Sequence, residues 1–171
     1  SYAQMVARTT SREIATVATL NTCQEADIDL IQISSHYPTC EICAPLQGKV
    51  FSISGKDERY PELTEEYMTP FHPNCLHVTT PYVREFDPQA GQTQRYSNTP
   101  LDKDTRSKGE KQAYRSEMDK VTIARNRKRA REILYSKAPM AEKELAAAKL
   151  QRTYEKAGTK PVGRDGAIIK E

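Results

Sequence analysis

The chain has 171 residues, of which 37% are hydrophobic and 29% are charged, and its mean hydropathy is −0.76. This composition is too polar to fill a single core of that size, so part of the chain is predicted to be solvated helix or tail. No run approaches the roughly 18 consecutive apolar residues of a membrane span, and no signal peptide precedes the sequence. These features predict a soluble intracellular protein with no membrane partner.

The net charge of +3 hides a strong division along the chain. Residues 1–102 contain 7 Lys and Arg against 13 Asp and Glu, a net charge of −6, whereas residues 103–171 contain 19 against 10, a net charge of +9. Such an asymmetry is typical of an acidic globular part followed by a basic arm for a polyanionic or acidic partner. An ordinary solvated helix rich in Lys and Arg is the alternative explanation of the second half.

The first half of the chain predicts one helix followed by three short strands. Apolar residues recur at helical spacing over residues 2–20, although a Thr-Thr-Ser sequence could divide this helix in two. β-Branched residues predict strands at about 27–34, 49–53 and 76–83, and the polar segment 58–70 is predicted to be a surface excursion. The predicted apolar face of the helix consists of Ala3, Val6, Ala7, Thr10, Ile14 and Val17.

The second half predicts two helices. A long helix is expected from about 110 to 136, with an apolar group near its end. Pro139 then suits the first turn of a second helix that ends near Lys156. Gly158 is placed to stop that helix, and the Gly-Arg-Asp-Gly sequence at 163–166 predicts a turn in a frayed end.

Two short segments carry the strongest chemical signal. In the first, Cys40 and Cys43 form a C-x-x-C turn, which places two thiolates at about the separation that tetrahedral zinc requires. In the second, Cys75 and His77 lie two residues apart on a predicted strand, so their side chains point to the same face. Two donors from a turn and two from a strand predict a closed zinc site on Cys40, Cys43, Cys75 and His77.

Two further histidines leave the choice of ligands open. His72 lies three residues before Cys75 and competes with His77, and His36 is a further reserve ligand. Zinc is favoured over an iron–sulfur cluster because histidine and thiolate mix readily around zinc. Buried or redox-active cysteines with surface histidines are the alternative explanation. Cys23 lies apart from both segments and is predicted to be a small buried apolar residue.

A structural zinc suits this sequence better than a catalytic one. The first half offers little apolar core, and a metal cross-link would stabilise a small fold that burial alone leaves marginal. A catalytic zinc needs an open coordination position and a nearby general acid or base. Glu41, inside the C-x-x-C turn, is the obvious candidate for such a base, but an exposed position is its simpler interpretation. No catalytic residue is therefore predicted.

A run of basic residues lies in the first long helix of the second half. On a helix these charges spread around most of the circumference, and no aromatic residues interleave with them as in a base-stacking surface. We therefore expect contact with DNA phosphates or an acidic protein, or simple solvation, rather than sequence-specific recognition of DNA. The residues of this basic run are Arg125, Arg127, Lys128, Arg129 and Arg131.

Together these elements predict an α+β fold. Residues 1–85 are predicted to form a small metal-stabilised α/β domain with a short antiparallel sheet. Residues 86–109 carry proline, glycine and many polar residues, and they are predicted to be a linker. Residues 110–171 are predicted to form a basic helical hairpin or tail.

Four short motifs of the first half extend beyond the candidate ligands. They are Ser35-His36, Cys40-Glu41-Ile42-Cys43-Ala44-Pro45-Leu46-Gln47-Gly48-Lys49-Val50, His72-Pro73-Asn74-Cys75-Leu76-His77 and Pro81-Tyr82. Together they resemble phage minor capsid protein 2, a family similar to the phage Mu F-like head-morphogenesis domain, over about residues 2–83. Many Mu F-like relatives end the third motif with Arg-Cys where this chain has Leu76-His77, and the exchange keeps a zinc donor at that position.

The resemblance implies a low-copy structural component of a tailed-phage head, located in the virion and assembled in the host cytoplasm. It implies portal or capsid proteins as partners, and the basic tail adds the DNA backbone as a further expected contact. The chain, which opens on Ser1, would be the C-terminal part of such a protein. The alternatives are a zinc-dependent nuclease or toxin-like enzyme and a nucleic-acid-binding zinc module. The sequence offers neither a convincing general base nor a phosphate-binding glycine loop in support of the enzyme hypothesis.

Overall fold

A computed structural model describes residues 2–161 of the chain. Within these residues the chain forms four α-helices and one three-stranded antiparallel sheet, which confirms the predicted α+β class. The fold divides between Ser107 and Lys108 into two compact units, an N-terminal unit with the sheet and a C-terminal helical unit. None of the helices in the described range combines the length and the apolar character needed to cross a membrane.

The sheet is small and built around its central strand. Strand β1 (Leu30–Ile33) pairs antiparallel with β2 (Val50–Ser52) on one side and with β3 (Thr79–Pro81) on the other. In this register Ile31 lies opposite Phe51. All three strands fall within the predicted ranges, and the loops that leave them carry the Cys/His segments.

Helix α1 (Tyr2–Glu25) is one continuous helix, longer than predicted, and its buried residues are Thr16 and Cys23. The hydroxyl of Thr16 lies 2.7 Å from that of Thr69, which lies 2.9 Å from that of Thr79 on β3. Because buried hydroxyls need hydrogen-bond partners, these contacts help to fix which face of α1 meets the fold. The apolar face predicted from the helical spacing does not face the core, and its residues are exposed: Ala3, Val6, Ala7, Thr10, Ile14 and Val17.

The apolar core of the N-terminal unit is small. Cys23 is fully buried within it, which confirms the prediction of a small apolar residue, and burial raises the pKa of its thiol. A second cluster packs on the opposite face of the sheet, because successive residues of a strand point to opposite sides. The main cluster contains Cys23, Ile31, Ile33, Leu46 and Phe51. The second cluster contains Leu30, Val50, Tyr60 and Tyr82.

The segment 58–70, predicted as a surface excursion, is partly buried, and in this respect the prediction was wrong. The backbone N–H of Ser52 donates to the carbonyl of Pro61 at 2.8 Å, which extends the pairing beyond β2. A 3₁₀ turn at Glu65–Tyr67 follows, and the Tyr67 ring stacks on Phe51 with 5.3 Å between ring centroids. A few aromatic and backbone anchors thus hold a segment whose composition is mostly polar.

Residues 86–109, predicted as a linker, contain helix α2 (Ala90–Ser97). Ser97 is buried, and its hydroxyl accepts a hydrogen bond of 2.9 Å from the backbone N–H of Val50 on β2. This contact fastens α2 to the sheet, so the N-terminal compact unit continues well beyond residue 85.

A fully buried lysine, Lys49, explains why α2 packs there. Its ammonium Nζ donates to the carbonyl oxygens of Tyr96 at 2.9 Å, Ser97 at 3.3 Å and Thr99 at 2.7 Å, and to the Thr99 hydroxyl at 2.8 Å. The first two carbonyls belong to the last turn of α2, where the helix dipole is negative and favours a cation. Burial lowers the pKa of Lys49.

The C-terminal unit consists of helices α3 (Lys108–Leu134) and α4 (Met140–Lys156), which pack against each other. Both helices match the predicted pair closely, with Pro139 at the N-cap of α4. The apolar group predicted near the end of α3 is part of the interface. The buried residues of this interface are Ala130, Ala146, Leu150 and Tyr154, with Ile123, Ile133 and Leu134 packed against them.

Helix α4 ends at Lys156 and is stopped by Gly158, as predicted. Gly158 has a φ of +64°, a conformation that L side chains rarely adopt. Its N–H donates to the carbonyl of Glu155 at 3.0 Å, and the N–H of Thr159 donates to that of Tyr154 at 3.1 Å, which is the Schellman arrangement. The turn predicted at 163–166 lies outside the described residues.

Replacing Lys49 by Met should lower the free energy of unfolding by about 2 kcal/mol, because the carbonyls at the end of α2 would lose a charged donor. Urea unfolding followed by circular dichroism measures this change. Lys56→Met, at an exposed position, is the matched control and should leave the free energy of unfolding unchanged. A Lys49→Met chain as stable as the wild type would contradict the role assigned to the buried ammonium.

Candidate metal centre

The C-x-x-C segment forms a compact turn between β1 and β2. The N–H of Ala44 donates to the carbonyl of Cys40, and the N–H of Gln47 donates to the carbonyl of Cys43, both at 3.0 Å. Gly48 closes the turn with a φ of +76°, and a Cβ at this position would lie 3.0 Å from the Ser35 hydroxyl oxygen. The glycine is therefore required for the chain to turn back into β2.

The second segment approaches the same turn from the residues before β3. The N–H of Cys75 donates to the carbonyl of His72 at 3.0 Å, and Asn74 between them has a φ of +63°. Cys75 and His77 are each 1% exposed, whereas Leu76 between them is 62% exposed. These residues lie before the first residue of β3, but their side chains alternate between buried and exposed positions, as the predicted strand required.

Four sulfur and nitrogen contacts, three of them between the two segments, form one cluster. The Nε2 atom of His72 lies 3.2 Å from the sulfurs of both Cys40 and Cys43. The Cys43 sulfur lies 3.7 Å from the Cys75 sulfur, which lies 3.7 Å from Nδ1 of His77. Two groups of three donors result, Cys40–Cys43–His72 and Cys43–Cys75–His77, each with its donor atoms within 4.8 Å of one another. Both groups include Cys43, and the five residues could hold a metal ion.

Each of these two histidines has one ring nitrogen near a carbonyl oxygen and the other near a cysteine sulfur. Nδ1 of His72 lies 2.9 Å from the carbonyl oxygen of Pro73, so a proton there leaves Nε2 as a lone-pair donor towards the sulfurs. Nε2 of His77 lies 3.4 Å from the side-chain oxygen of Gln47, with Nδ1 towards Cys75. Ligating histidines commonly donate their second N–H to a carbonyl in this way. Gln47 thus contacts the His77 ring, a contact that the sequence did not predict.

His36, the predicted reserve ligand, lies beside the cluster but belongs to neither group of donors. Its ring packs on His77 with 4.1 Å between ring centroids, and its Nδ1 lies 3.1 Å from the carbonyl oxygen of Pro38. Burial, followed by the charge of His77, lowers the pKa of His36. In the described part of the chain, its buried Nε2 has no hydrogen-bond partner.

The thiols of Cys43 and Cys75 are unequal. Their mutual hydrogen bond is the main cause that lowers the pKa of Cys75 and raises that of Cys43. Burial opposes the first shift and adds to the second. The pair therefore loses its first proton readily and retains the second, and a bound cation favours the loss of both because it needs thiolate ligands.

A third segment, which sequence analysis missed, covers the C-x-x-C turn. We call residues 104–106 the strap. Arg106 donates to the carbonyl of Thr39 at 3.1 Å, and Thr105 donates through its hydroxyl to the carbonyl of Ala44 at 3.0 Å. Glu41, considered above as a general base, lies 3.7 Å from Arg106 and is otherwise exposed. The strap lies in the range predicted to be a linker, where composition alone predicted no packing.

The basic run of α3 lies in the other compact unit and divides into two parts. Arg127 is partly buried and donates to the Tyr154 hydroxyl of α4 at 2.6 Å, so it belongs to the helix–helix interface. The other members are exposed, as expected of residues that contact a partner or solvent: Arg125, Lys128, Arg129 and Arg131.

These features define a class of protein: a small α+β domain with a buried Cys/His cluster suited to a metal ion, followed by a basic helix pair. The chain belongs to the family of phage minor capsid protein 2, which matches residues 1–160 of the 171. The predicted resemblance is thereby confirmed and extended into the helix pair. Membership implies a place in the virion and assembly with other head proteins. Searches among curated proteins and among solved structures returned no significant match.

Replacing Cys43 by Ala removes the sulfur that both groups of donors share, and we expect it to abolish binding of Co²⁺, a spectroscopic probe of Cys/His sites. The measurement is a titration that follows the thiolate-to-cobalt absorption. Cys23→Ala is the matched control, because it also deletes a fully buried thiol but outside the cluster, and it should bind Co²⁺ like the wild type. Unchanged binding by Cys43→Ala would rule out a site centred on this residue.

Proposed function

We propose that the chain is a structural, non-enzymatic component of a phage head, stabilised by one zinc ion in the Cys/His cluster. The observation that carries the proposal is the meeting of two segments, about 30 residues apart in sequence, at the buried sulfur of Cys43. The apolar core around it is small, and an ion that cross-links the two segments would stabilise the fold directly. Family membership supports the location in the virion.

We propose Cys40, Cys43 and Cys75 as the three thiolate ligands, with one histidine in the fourth position. Zinc–sulfur bonds of about 2.3 Å in a tetrahedron place sulfurs roughly 3.8 Å apart, and the Cys43–Cys75 distance of 3.7 Å is consistent with this. The sequence favours His77 as the fourth ligand. The two contacts of His72 at 3.2 Å support His72 instead, with Nδ1 of His77 lying 3.7 Å from the Cys75 sulfur as a neighbouring contact.

A structural zinc is preferred to a catalytic one because most of the candidate ligands are buried, with Cys40 and His72 only partly accessible. Cys43, Cys75 and His77 are each 1% exposed, which leaves little access for a substrate. An open cavity of about 870 Å³ is lined by side chains from 24–29 and 53–59 and includes no member of the cluster. A zinc-dependent nuclease, the competing hypothesis, would need an open coordination position beside a general base.

The proposed partners are portal or capsid proteins of the phage head. The exposed basic residues of α3 would contact an acidic surface on such a protein, and the DNA backbone is the second candidate. Assembly would take place in the host cytoplasm before the particle matures. A surface that binds through charge alone loses affinity as salt rises, which distinguishes it from an apolar interface.

Metal analysis after exhaustive dialysis should find about one zinc ion per chain, and a chelator should lower the melting temperature of the N-terminal unit. His72→Ala should reduce zinc retention more strongly than His77→Ala if His72 is the fourth ligand. The opposite order would assign that position to His77. Zinc-free wild-type protein with an unchanged melting curve would rule out the structural ion.

In phage particles, Cys43→Ala should reduce the amount of this protein in purified heads to a small fraction of the wild-type level, because the destabilised domain would not assemble. Quantitative mass spectrometry of the particles measures this amount. Cys23→Ala should be incorporated normally. Wild-type protein that never enters particles would contradict the assignment to the virion.

The same assay tests the basic surface of α3. Combined replacement of Arg125, Lys128 and Arg129 by Gln should reduce incorporation without changing the melting temperature. A matched variant with Lys56, Arg95 and Lys103 replaced by Gln removes the same charge from exposed positions outside α3 and should be incorporated normally. Equal effects of the two variants would point to net charge rather than to this surface.

A further inference from the structure

The strap holds its arginine in an unusually buried position. The Arg106 side chain is only 6% exposed, although arginine is among the residues least often buried. Two of its nitrogens, Nε and Nη2, donate to the carboxylate of Asp104 at 2.9 Å each, which fixes the plane of the guanidinium. The third nitrogen, Nη1, is thereby directed at the carbonyl oxygen of Thr39, the residue before Cys40.

The same local motif occurs a second time in the chain. Arg59 donates through Nε and Nη2 to the carboxylate of Asp57 at 2.8 and 2.7 Å, with the same two-residue spacing. The Arg59 side chain is 52% exposed. The Asp-x-Arg motif therefore forms its ion pair without burial, so burial of Arg106 comes from its environment at the C-x-x-C turn.

The positive charge of the buried guanidinium suits the proposed zinc site. Zinc with three thiolates and one histidine carries one net negative charge, which is unfavourable in a buried site unless a cation lies nearby. The pKa of Arg106 is raised, first by its hydrogen bonds to Asp104 and further by the charges of Asp104, Glu41 and Cys40. The guanidinium Nη1 lies 3.1 Å from the carbonyl oxygen of Thr39, one residue before Cys40, so the charge is placed at the edge of the C-x-x-C turn.

We propose that Arg106 is a positioning residue for the metal centre. It holds the peptide that precedes Cys40 and places a charged donor against the C-x-x-C turn, so that the turn retains its ion. This inference rests on the proposed zinc site and goes beyond it, because it assigns a supporting role to a segment that carries no ligand. Supporting groups of this kind commonly change metal affinity by 10- to 100-fold.

The test compares zinc release from purified, zinc-loaded full-length chains to an excess of a chromophoric chelator. Arg106→Gln should release zinc about 10-fold faster than the wild type, and Arg59→Gln should release it at the wild-type rate. Arg106→Lys, which keeps the charge but loses the planar fork, should fall between them. In the cobalt-loaded chains, Arg106→Gln should also shift the thiolate-to-cobalt absorption, whereas Arg59→Gln should not.

Two outcomes would overturn the inference alone: zinc release from Arg106→Gln at the wild-type rate, or equal acceleration in Arg106→Gln and Arg59→Gln. A wild-type chain that binds no zinc would overturn the proposed function as well. If Arg106→Gln fails to fold, Asp104→Asn provides the second variant, since it keeps the guanidinium but loosens its orientation. Faster release from Asp104→Asn would then support the inference, and an unchanged rate would overturn it.

Discussion

The convergence of thiol and imidazole groups on Cys43 is the constraint around which the N-terminal unit is arranged. The C-x-x-C turn connects β1 to β2, and the second Cys/His segment leads into β3, so the loops that build the cluster also join the strands of the sheet. Bringing distant segments together costs chain entropy, which a small apolar core offsets poorly. An ion bound at this point would stabilise the turn and the sheet together.

Polar anchoring is the second feature that distinguishes this unit. Hydroxyl groups join α1 to β3 through Thr16, Thr69 and Thr79, and the ammonium of Lys49 joins β2 to α2. Each of these groups is buried and satisfied, so it specifies one arrangement without adding apolar surface. This explains how a chain with a mean hydropathy of −0.76 forms a defined core.

The sequence predicted those parts of the fold that depend on local signals. The three strands, the two C-terminal helices and the Gly158 stop all follow from periodicity or from the conformational range of glycine. The spacing of Cys40, Cys43, Cys75 and His77 likewise predicted a cluster, and these residues all lie within the two groups of donors. His72, which lies close to the sulfurs of Cys40 and Cys43, was one of the alternative ligands that the spacing left open.

What the sequence did not predict depends on contacts between distant residues. The apolar face of α1 is exposed because the buried side chains of the helix are a threonine and a cysteine. Hydrophobic periodicity does not detect a buried face made of such residues. Arg106 and helix α2 were missed because charged and polar residues in a proline-containing stretch are typical of a linker. The burial of Lys49 was missed because its oxygen acceptors lie in that same stretch. A repeated Asp-x-Arg motif was the one available signal for Arg106, and its first copy lies at the surface.

The oxygen atoms that surround the Lys49 ammonium also limit how far the chain can be shortened. A shortened chain ending near residue 85 would contain every candidate metal ligand, yet it would lack the carbonyl oxygens that hold this ammonium. The amine would then be either unsatisfied, which is very unfavourable in a protein interior, or open to solvent beside the sheet. A piece that keeps the native packing of α2 must therefore include Thr99, and one that also retains the strap must reach Arg106.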